Sequence, residues 1–335
     1  MQPDGRSPAV SLGGDESGLS RRSSVRLLAP RHWPAWLAVG LFRLLALLPF
    51  RAQVLLGRAL GRLGSRLLPG RRAVARTNLR ICLPEFSDGE RERLLREHFG
   101  WLGVAAVCQG LSWAAGVDRL RRIIHIRNRG LIDQCIAEGR AVIVLVPHFL
   151  GLELGGTGFT ALVHSGMYMY QRIRSPVIGG QVKHGRTRFG SIPVERQDDL
   201  RGLIREMKRG TPVFYLPDQD PGRRRGVFVP FCGIPAATVP TLGRIARLAD
   251  ALVIPTFARF LPDGSGLELI FDEPLADFPS GDPSADTARM NQVIEARLRD
   301  MPAQYFWVHR RFKTRPEGEP PVYADHARRR RRRRR

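Results

Sequence analysis

Cysteine is scarce in this chain, and no two cysteines are close enough to share a motif. Cys82, Cys108, Cys135 and Cys232 are scattered through 335 residues without a CxxC spacing. That argues against a zinc ribbon or a disulfide scaffold and fits reduced thiols in a cytosolic compartment. GxGxxG and P-loop patterns are missing too, so dinucleotide and nucleotide chemistry have no positive support. No cysteine sits in a recognisable nucleophile setting, and no internal repeat is visible. Acidic residues are outnumbered: 31 Asp and Glu face 54 Lys and Arg, for a net charge of +23. The run Arg328–Arg335 carries eight of those charges, and +23 less eight leaves +15 for the rest. A charge that large implies an anionic partner, whether nucleic acid, anionic lipid or an acidic protein.

Long hydrophobic runs are nearly absent as well. Residues 33–50 give 18 positions with one charge, Arg43. About 20 apolar residues are needed to span a bilayer, so this segment is a marginal span. It ends in Leu-Pro-Phe-Arg rather than in the small residues of a signal-peptide cleavage site. In residues 52–68, Arg58, Arg62 and Arg66 recur every four positions, and Leu56, Leu60, Leu63 and Leu67 fall on another face. A basic stripe beside an apolar one is the pattern of a helix lying on an anionic membrane surface. Residues 1–32 and the arginine tail have little to bury and are expected to be disordered.

What the chain does have is a run of apolar residues that ends in a histidine. Ala141-Val-Ile-Val-Leu-Val146 reads as a buried strand, stopped by Pro147 and followed by His148, with Glu153 five positions on. Side chains at the carboxyl end of such a strand face the crevice where α/β sheets bind ligands. A histidine there can act as a base, and a nearby carboxylate can orient it. Zinc-binding helices place two ligands at i and i+4, whereas i and i+5 point about 140° apart on a helix. His148 and Glu153 are therefore expected to meet with the histidine in the turn and the glutamate in the first helical turn. That geometry favours a dyad over a metal site.

The remainder alternates between strands and helices. Helices are expected at 88–109 (capped by Ser87 or Asp88), 152–163, 198–209 (capped by Asp198), 240–249 and 285–300. Strands are expected near 166–171, at Thr211–Pro217 and at Ala251–Phe257, with an edge strand at 267–271. This order implies an α/β fold with a mainly parallel sheet flanked by helices. Asp218-Gln-Asp220 sits at the carboxyl end of the second buried strand, the same location as His148 on the first. Two basic clusters stand out: Arg172, Arg174, Lys183, Arg186 and Arg188, and then His309-Arg310-Arg311-Phe-Lys313-Thr-Arg315 after Tyr305-Phe-Trp307. Arginine forks near a crevice suit a multiply anionic substrate, and aromatics between arginines equally suit nucleobases.

Four ordered motifs carry a family resemblance. They are His148-Phe-Leu-Gly-Leu-Glu153, Gly185-Arg-Thr-Arg188, Pro217-Asp-Gln-Asp220 with Val227-Phe-Val-Pro-Phe231, and Gln304-Tyr-Phe-Trp-Val-His-Arg-Arg-Phe-Lys-Thr-Arg-Pro-Glu-Gly318. From about residue 31 to 323 the chain resembles the lipid A biosynthesis acyltransferases of Gram-negative bacteria, the late lauroyl/myristoyl type. The resemblance implies a glycerolipid-acyltransferase-like α/β fold with an N-terminal membrane-anchor helix. The implied layout is a disordered segment 1–32, an anchor and interfacial helix 33–70, an acyltransferase domain 71–323 and a disordered tail 324–335. It also implies acyl transfer from acyl carrier protein to a hydroxyacyl chain of a Kdo-lipid A precursor, at the cytoplasmic face of the inner membrane. His148 would be the general base and Glu153 its partner. Arg186 or Arg188 would hold an acceptor phosphate or aid the oxyanion, Asp218 and Asp220 would shape the acceptor pocket, and Arg310 and Arg311 would bind substrate. No cofactor, metal or nucleic-acid partner is expected under this reading. Gln219 departs from the histidine expected between the two aspartates.

Overall fold

The computed structural model describes residues 27–170, 173–195 and 200–323. Expectations concerning residues 1–26, Arg172, the Asp198 cap and the arginine tail lie outside the described residues. A 3₁₀ turn at Pro30–His32 leads into helices α1 (Trp33–Leu45), α2 (Phe50–Leu67), α3 (Pro69–Cys82) and α4 (Asp88–Val107). The short helices α5 (Gln109–Ala114) and α6 (Val117–Ile123) precede β1 (Ile124–Arg127) and α7 (Arg129–Ala137). Then come β2 (Val142–Leu145), α8 (Leu152–Leu162), β3 (Met167–Tyr170), α9 (Pro176–Thr187), β4 (Ile192–Glu195), α10 (Leu200–Lys208) and β5 (Val213–Tyr215). The hairpin β6 (Val227–Phe231) and β7 (Ile234–Thr238) follows, then α11 (Leu242–Ala249), β8 (Leu252–Phe260), β9 (Leu267–Phe271) and α12 (Pro283–Asp300).

The main sheet has seven strands in the order β1-β9-β8-β2-β5-β3-β4. Every pairing in it is parallel except β8 with β9. Residues 267–271 were expected at an edge, but β9 lies between β1 and β8 and is largely buried. The reason is that residues 124–127 supply an outer strand that has no clear strand pattern of its own. β2, buried at every position, sits between β5 and β8. Its unbroken apolar run reflects helices on both faces. Ser87 caps α4 through a capping box with Glu90, which decides between the two expected caps.

The first of the amino-terminal helices is shorter than the segment read as a marginal span. Among the described residues, no helix is long and apolar enough to cross a membrane. α1 has 13 residues, a length of about 20 Å, and ends before Pro49. It docks on the domain: Val39 packs with Trp113 and Val177, Phe42 meets the Trp113 ring edge-on, and Arg43 donates to Gln181. In α2 the buried positions are Phe50, Gln53, Val54, Gly57, Gly61 and Ser65. The leucine stripe is turned outward: Leu60, Leu63 and Leu67 are 48%, 51% and 69% exposed.

Candidate active site

Backbone register brings the central pair together. Leu145 of β2 lies opposite Tyr215 of β5, and the Val146 N–H donates to the Tyr215 carbonyl at 2.9 Å. Both strands stop at a proline two residues on, Pro147 and Pro217, which cannot extend the ladder. The next residue of each strand, His148 and Asp218, is therefore side by side with the other. His148 Nδ1 lies 2.6 Å from Asp218 Oδ1, and the His148 backbone N–H donates to Oδ2 at 2.9 Å. A carboxylate only accepts, so Nδ1 carries a proton, and in the neutral imidazole Nε2 is the nitrogen with the lone pair.

Asp218 is buried, and burial by itself would push its carboxyl upward. The charge of His148, two hydrogen bonds from that residue and the nearby Arg311 outweigh burial and hold it below the usual carboxylate range. The cavity of about 280 Å³ at this pair is walled by Asn78, Tyr305, His309 and Arg311, among others. Burial and the Asp218 charge push the Tyr305 hydroxyl well above its ordinary range.

Glu153 does something other than expected. It lies in the first turn of α8, as anticipated, but its carboxylate is clasped by Arg186 of α9: Nε to Oε1 at 2.8 Å and Nη2 to Oε2 at 2.7 Å. The Nδ1 position on His148 is taken by Asp218, so the expected His148–Glu153 dyad gives way to two separate pairs. The Arg186 guanidinium also lies 5.3 Å from the centre of the Tyr168 ring. This fork stands at a second cavity of about 730 Å³, open to solvent at one side. Its walls are mainly apolar groups such as Val146, Leu152, Phe159, Phe214 and Leu269.

Other predicted site residues are engaged in holding the scaffold. Arg188 donates to the carbonyls of Leu111, Ser112 and Ala115 at the end of α5, where a helix leaves carbonyls such as that of Ser112 open, so it is not placed to hold a substrate. Asp220 accepts from the Thr314 and Gly222 N–H groups and the Thr314 hydroxyl, fixing the near-terminal segment rather than shaping a pocket. Arg311 is buried, donates to the Ala237 carbonyl and the Thr238 hydroxyl, and lies over the Phe231 ring. Its charge reaches Asp218, and while its two Nη groups bond the hairpin it also lines the cavity at His148. Arg310 alone of these borders an open cleft.

The near-terminal segment builds the back wall of the site. The Phe306 N–H donates to the His148 carbonyl, the Leu150 N–H to the Gln304 carbonyl, and Phe149 bridges Tyr305. Buried Asn78 of α3 donates to the carbonyls of Trp307 and His309 and accepts from Tyr323. Asn78 escaped the sequence reading because it acts through backbone groups far away in the chain, whereas Gln304 and Tyr305 lie in the near-terminal motif without an individual role assigned to them. Among the described residues, no three His, Cys, Asp or Glu side chains converge to hold a metal ion.

A buried histidine, His98, and a half-buried one, His309, give the domain an acid limit. Burial pushes both His98, whose Nδ1 donates to the Ala303 carbonyl, and His309 down to about 4. An unfolded chain takes up these protons near pH ~6.5, whereas the folded one resists until about pH 4. Their stabilising contribution is therefore complete above about pH 6.5 and is lost as pH falls toward 4. Stability should drop by on the order of 2 kcal/mol per histidine between pH ~7 and ~4.5. Urea denaturation at the two pH values measures the drop, and His98→Gln should flatten it. An unchanged slope in that variant would refute the assignment.

With the geometry described, comparison with known proteins is informative. The sequence profile of bacterial lipid A biosynthesis acyltransferases matches residues 21–314. The chain belongs to that family. It is 36% identical over 301 residues to the lipid A biosynthesis lauroyltransferase of Escherichia coli (strain K12), covering 90% of this chain and 98% of that one. It is 33% identical to the lipid A biosynthesis palmitoleoyltransferase of the same strain, over 90% of this chain and 97% of the relative. Among solved structures it is similar to the 1-acyl-sn-glycerophosphate acyltransferase PlsC of Thermotoga maritima. There the TM-score is 0.36 at 15% identity, over 74% of this chain and 98% of the other. The protein is thus an acyltransferase of lipid A biosynthesis, with a mainly parallel α/β sheet flanked by helices.

Proposed function

We propose that this acyltransferase moves a fatty acyl group from acyl carrier protein onto a hydroxyacyl chain of a Kdo-bearing lipid A precursor, with His148 as general base. The observation that carries the mechanism is the His148–Asp218 pair at the carboxyl ends of β2 and β5, with Nε2 left to accept a proton. Nε2 takes the proton of the acceptor hydroxyl as its oxygen attacks the thioester carbonyl. The tetrahedral intermediate then collapses, expelling the pantetheine thiolate, which recovers a proton from the imidazolium. Asp218 holds the tautomer and stabilises the imidazolium. A thioester is reactive enough that no acyl-enzyme is needed, which suits a chain without a recognisable nucleophile.

Three further features support this reading. The apolar cavity beside the Glu153–Arg186 fork suits a fatty acyl chain. The cationic surface suits acidic acyl carrier protein and an anionic lipid. Trp33, Trp36, Leu37, Leu41, Leu44 and Leu47 on and after α1 are exposed together with the leucines of α2. Exposed apolar residues beside the arginines of α2 suit a protein resting on the cytoplasmic face of the inner membrane rather than crossing it.

The test is an assay of detergent-solubilised protein with acyl carrier proteins bearing decanoyl to palmitoyl chains, matching acyl-CoAs and a Kdo-bearing tetra-acylated precursor, read by mass spectrometry. A gain of one acyl group, lost in folded His148→Ala, is expected. No gain with any donor would overturn the assigned acceptor. A gain that persists in His148→Ala would overturn the assigned base.

A further inference from the structure

A second opening lies beside the active-site pair, walled by α2, α3 and the near-terminal segment. It is a cleft of about 1260 Å³, broadly open to solvent. One wall carries Leu67 and Leu68, both exposed, where α2 ends. The other groups at its lining include Arg71, Arg310, Lys313 and His309. Arg71 Nη1 donates to the Val308 carbonyl at 3.1 Å, tying the start of α3 to the near-terminal segment across the cleft. His309 is common to this cleft and to the cavity at His148 and Asp218, so the two openings adjoin at that residue.

We infer that this cleft seats a phosphomonoester group on the sugar head of the lipid acceptor, gripped by Arg71, Arg310 and Lys313. The inference rests on the proposed acceptor class. Its particular ground is the pairing of chemistries in one opening: permanent cations face exposed leucines, and those leucines continue the apolar outer face of α2 through Leu63 and Leu60. That surface is complementary to an amphiphile, which presents an anionic head and hydrocarbon side by side. An acidic protein helix would match the cations but leave Leu67 and Leu68 without a partner. The shared His309 wall sets the head group beside the cavity that holds the base, as an acceptor whose own hydroxyl reacts there requires.

Lys313 and Arg71 are both exposed, so replacing them by glutamine leaves the core untouched. The experiment measures binding of a phosphorylated glycolipid acceptor and its enzymatically dephosphorylated twin in mixed micelles, by tryptophan fluorescence of the full chain. Wild-type protein should prefer the phosphorylated lipid by about tenfold to a hundredfold, the worth of charge-assisted contacts. R71Q/K313Q should bind the two lipids alike, and Arg71→Lys should restore part of the preference. A wild type that does not discriminate, or a double variant that still does, overturns the inference. So does a double variant whose defect appears in the titration with acyl carrier protein instead. Turnover of the same lipids is recorded alongside. Phosphate-dependent binding without acylation would count against the proposed reaction while leaving the cleft assignment standing.

Discussion

Asp218→Asn should lower turnover by about 10³–10⁴-fold, as much as His148→Ala and more than any other single change in the site. Two donors converge on this carboxylate, the backbone N–H of His148 and its Nδ1–H. An asparagine of the same shape offers one oxygen and one NH₂ group, so it can serve only one of them. If the oxygen stays with the backbone N–H, which cannot turn away, the NH₂ faces Nδ1. The imidazole must then carry its proton on Nε2, the atom required as base. The variant also loses the negative charge that stabilises the imidazolium. Single-turnover acylation with the lipid acceptor in excess measures the loss. Because the two residues act as a unit, the double variant should be little slower than either single one. Near-normal turnover in folded Asp218→Asn would eliminate the pair as the proton acceptor.

Glu153→Gln provides the contrast. It weakens the clasp on Arg186 without touching His148, so the rate should fall while the pH dependence keeps its wild-type shape. A pH profile displaced in Glu153→Gln but not in Asp218→Asn would restore the glutamate as the orienting group.

The location of this site was legible in the sequence, but its wiring was not. Apolar runs ending in Pro147-His148 and Pro217-Asp218 marked two buried strands and put both polar residues at their carboxyl ends. What a linear reading lacks is the register between β2 and β5. Glu153, five residues away, seemed the nearer partner than Asp218, seventy residues away. The matching strand–proline–polar pattern in the two segments was the available signal. The basic clusters misled for a different reason. A sequence displays arginines but not the open carbonyls that claim them, so Arg188, bound to the end of α5, looked the same as a ligand-binding residue. On α2 the leucine stripe, read as the face of a surface-lying helix, is exposed, and a different face packs on the domain. Hydrophobic periodicity finds leucines, whereas the face that packs includes Gly57 and Gly61, which have no side chain to register.

That glycine face leads to the second large effect. Gly61→Val should unseat α2 from α4, lowering the melting temperature by several degrees and weakening acceptor binding with it. A Cβ at Gly61 would lie 1.9 Å from the Phe99 carbonyl oxygen, and one at Gly103 would lie 2.1 Å from the Gly57 carbonyl. In each case the obstacle is backbone, which cannot rotate out of the way as a side chain can. The helices must part, and overpacking of this kind costs about 1–3 kcal/mol or more. Because the end of α2 supplies Leu67 and Leu68 to the cationic cleft, parting the helices also moves one wall away from Arg310 and Lys313. Gly64 is the control within the same helix, since a Cβ there meets nothing within 4 Å. Gly64→Ala should leave binding alone and stabilise the helix by about 0.5–1 kcal/mol through reduced backbone freedom in the unfolded chain. Thermal melts and lipid titrations of the two variants separate the readings. If Gly61→Val and Gly64→Ala behave alike, α2 is held by something other than close backbone contact, and its coupling to the acceptor cleft fails with it.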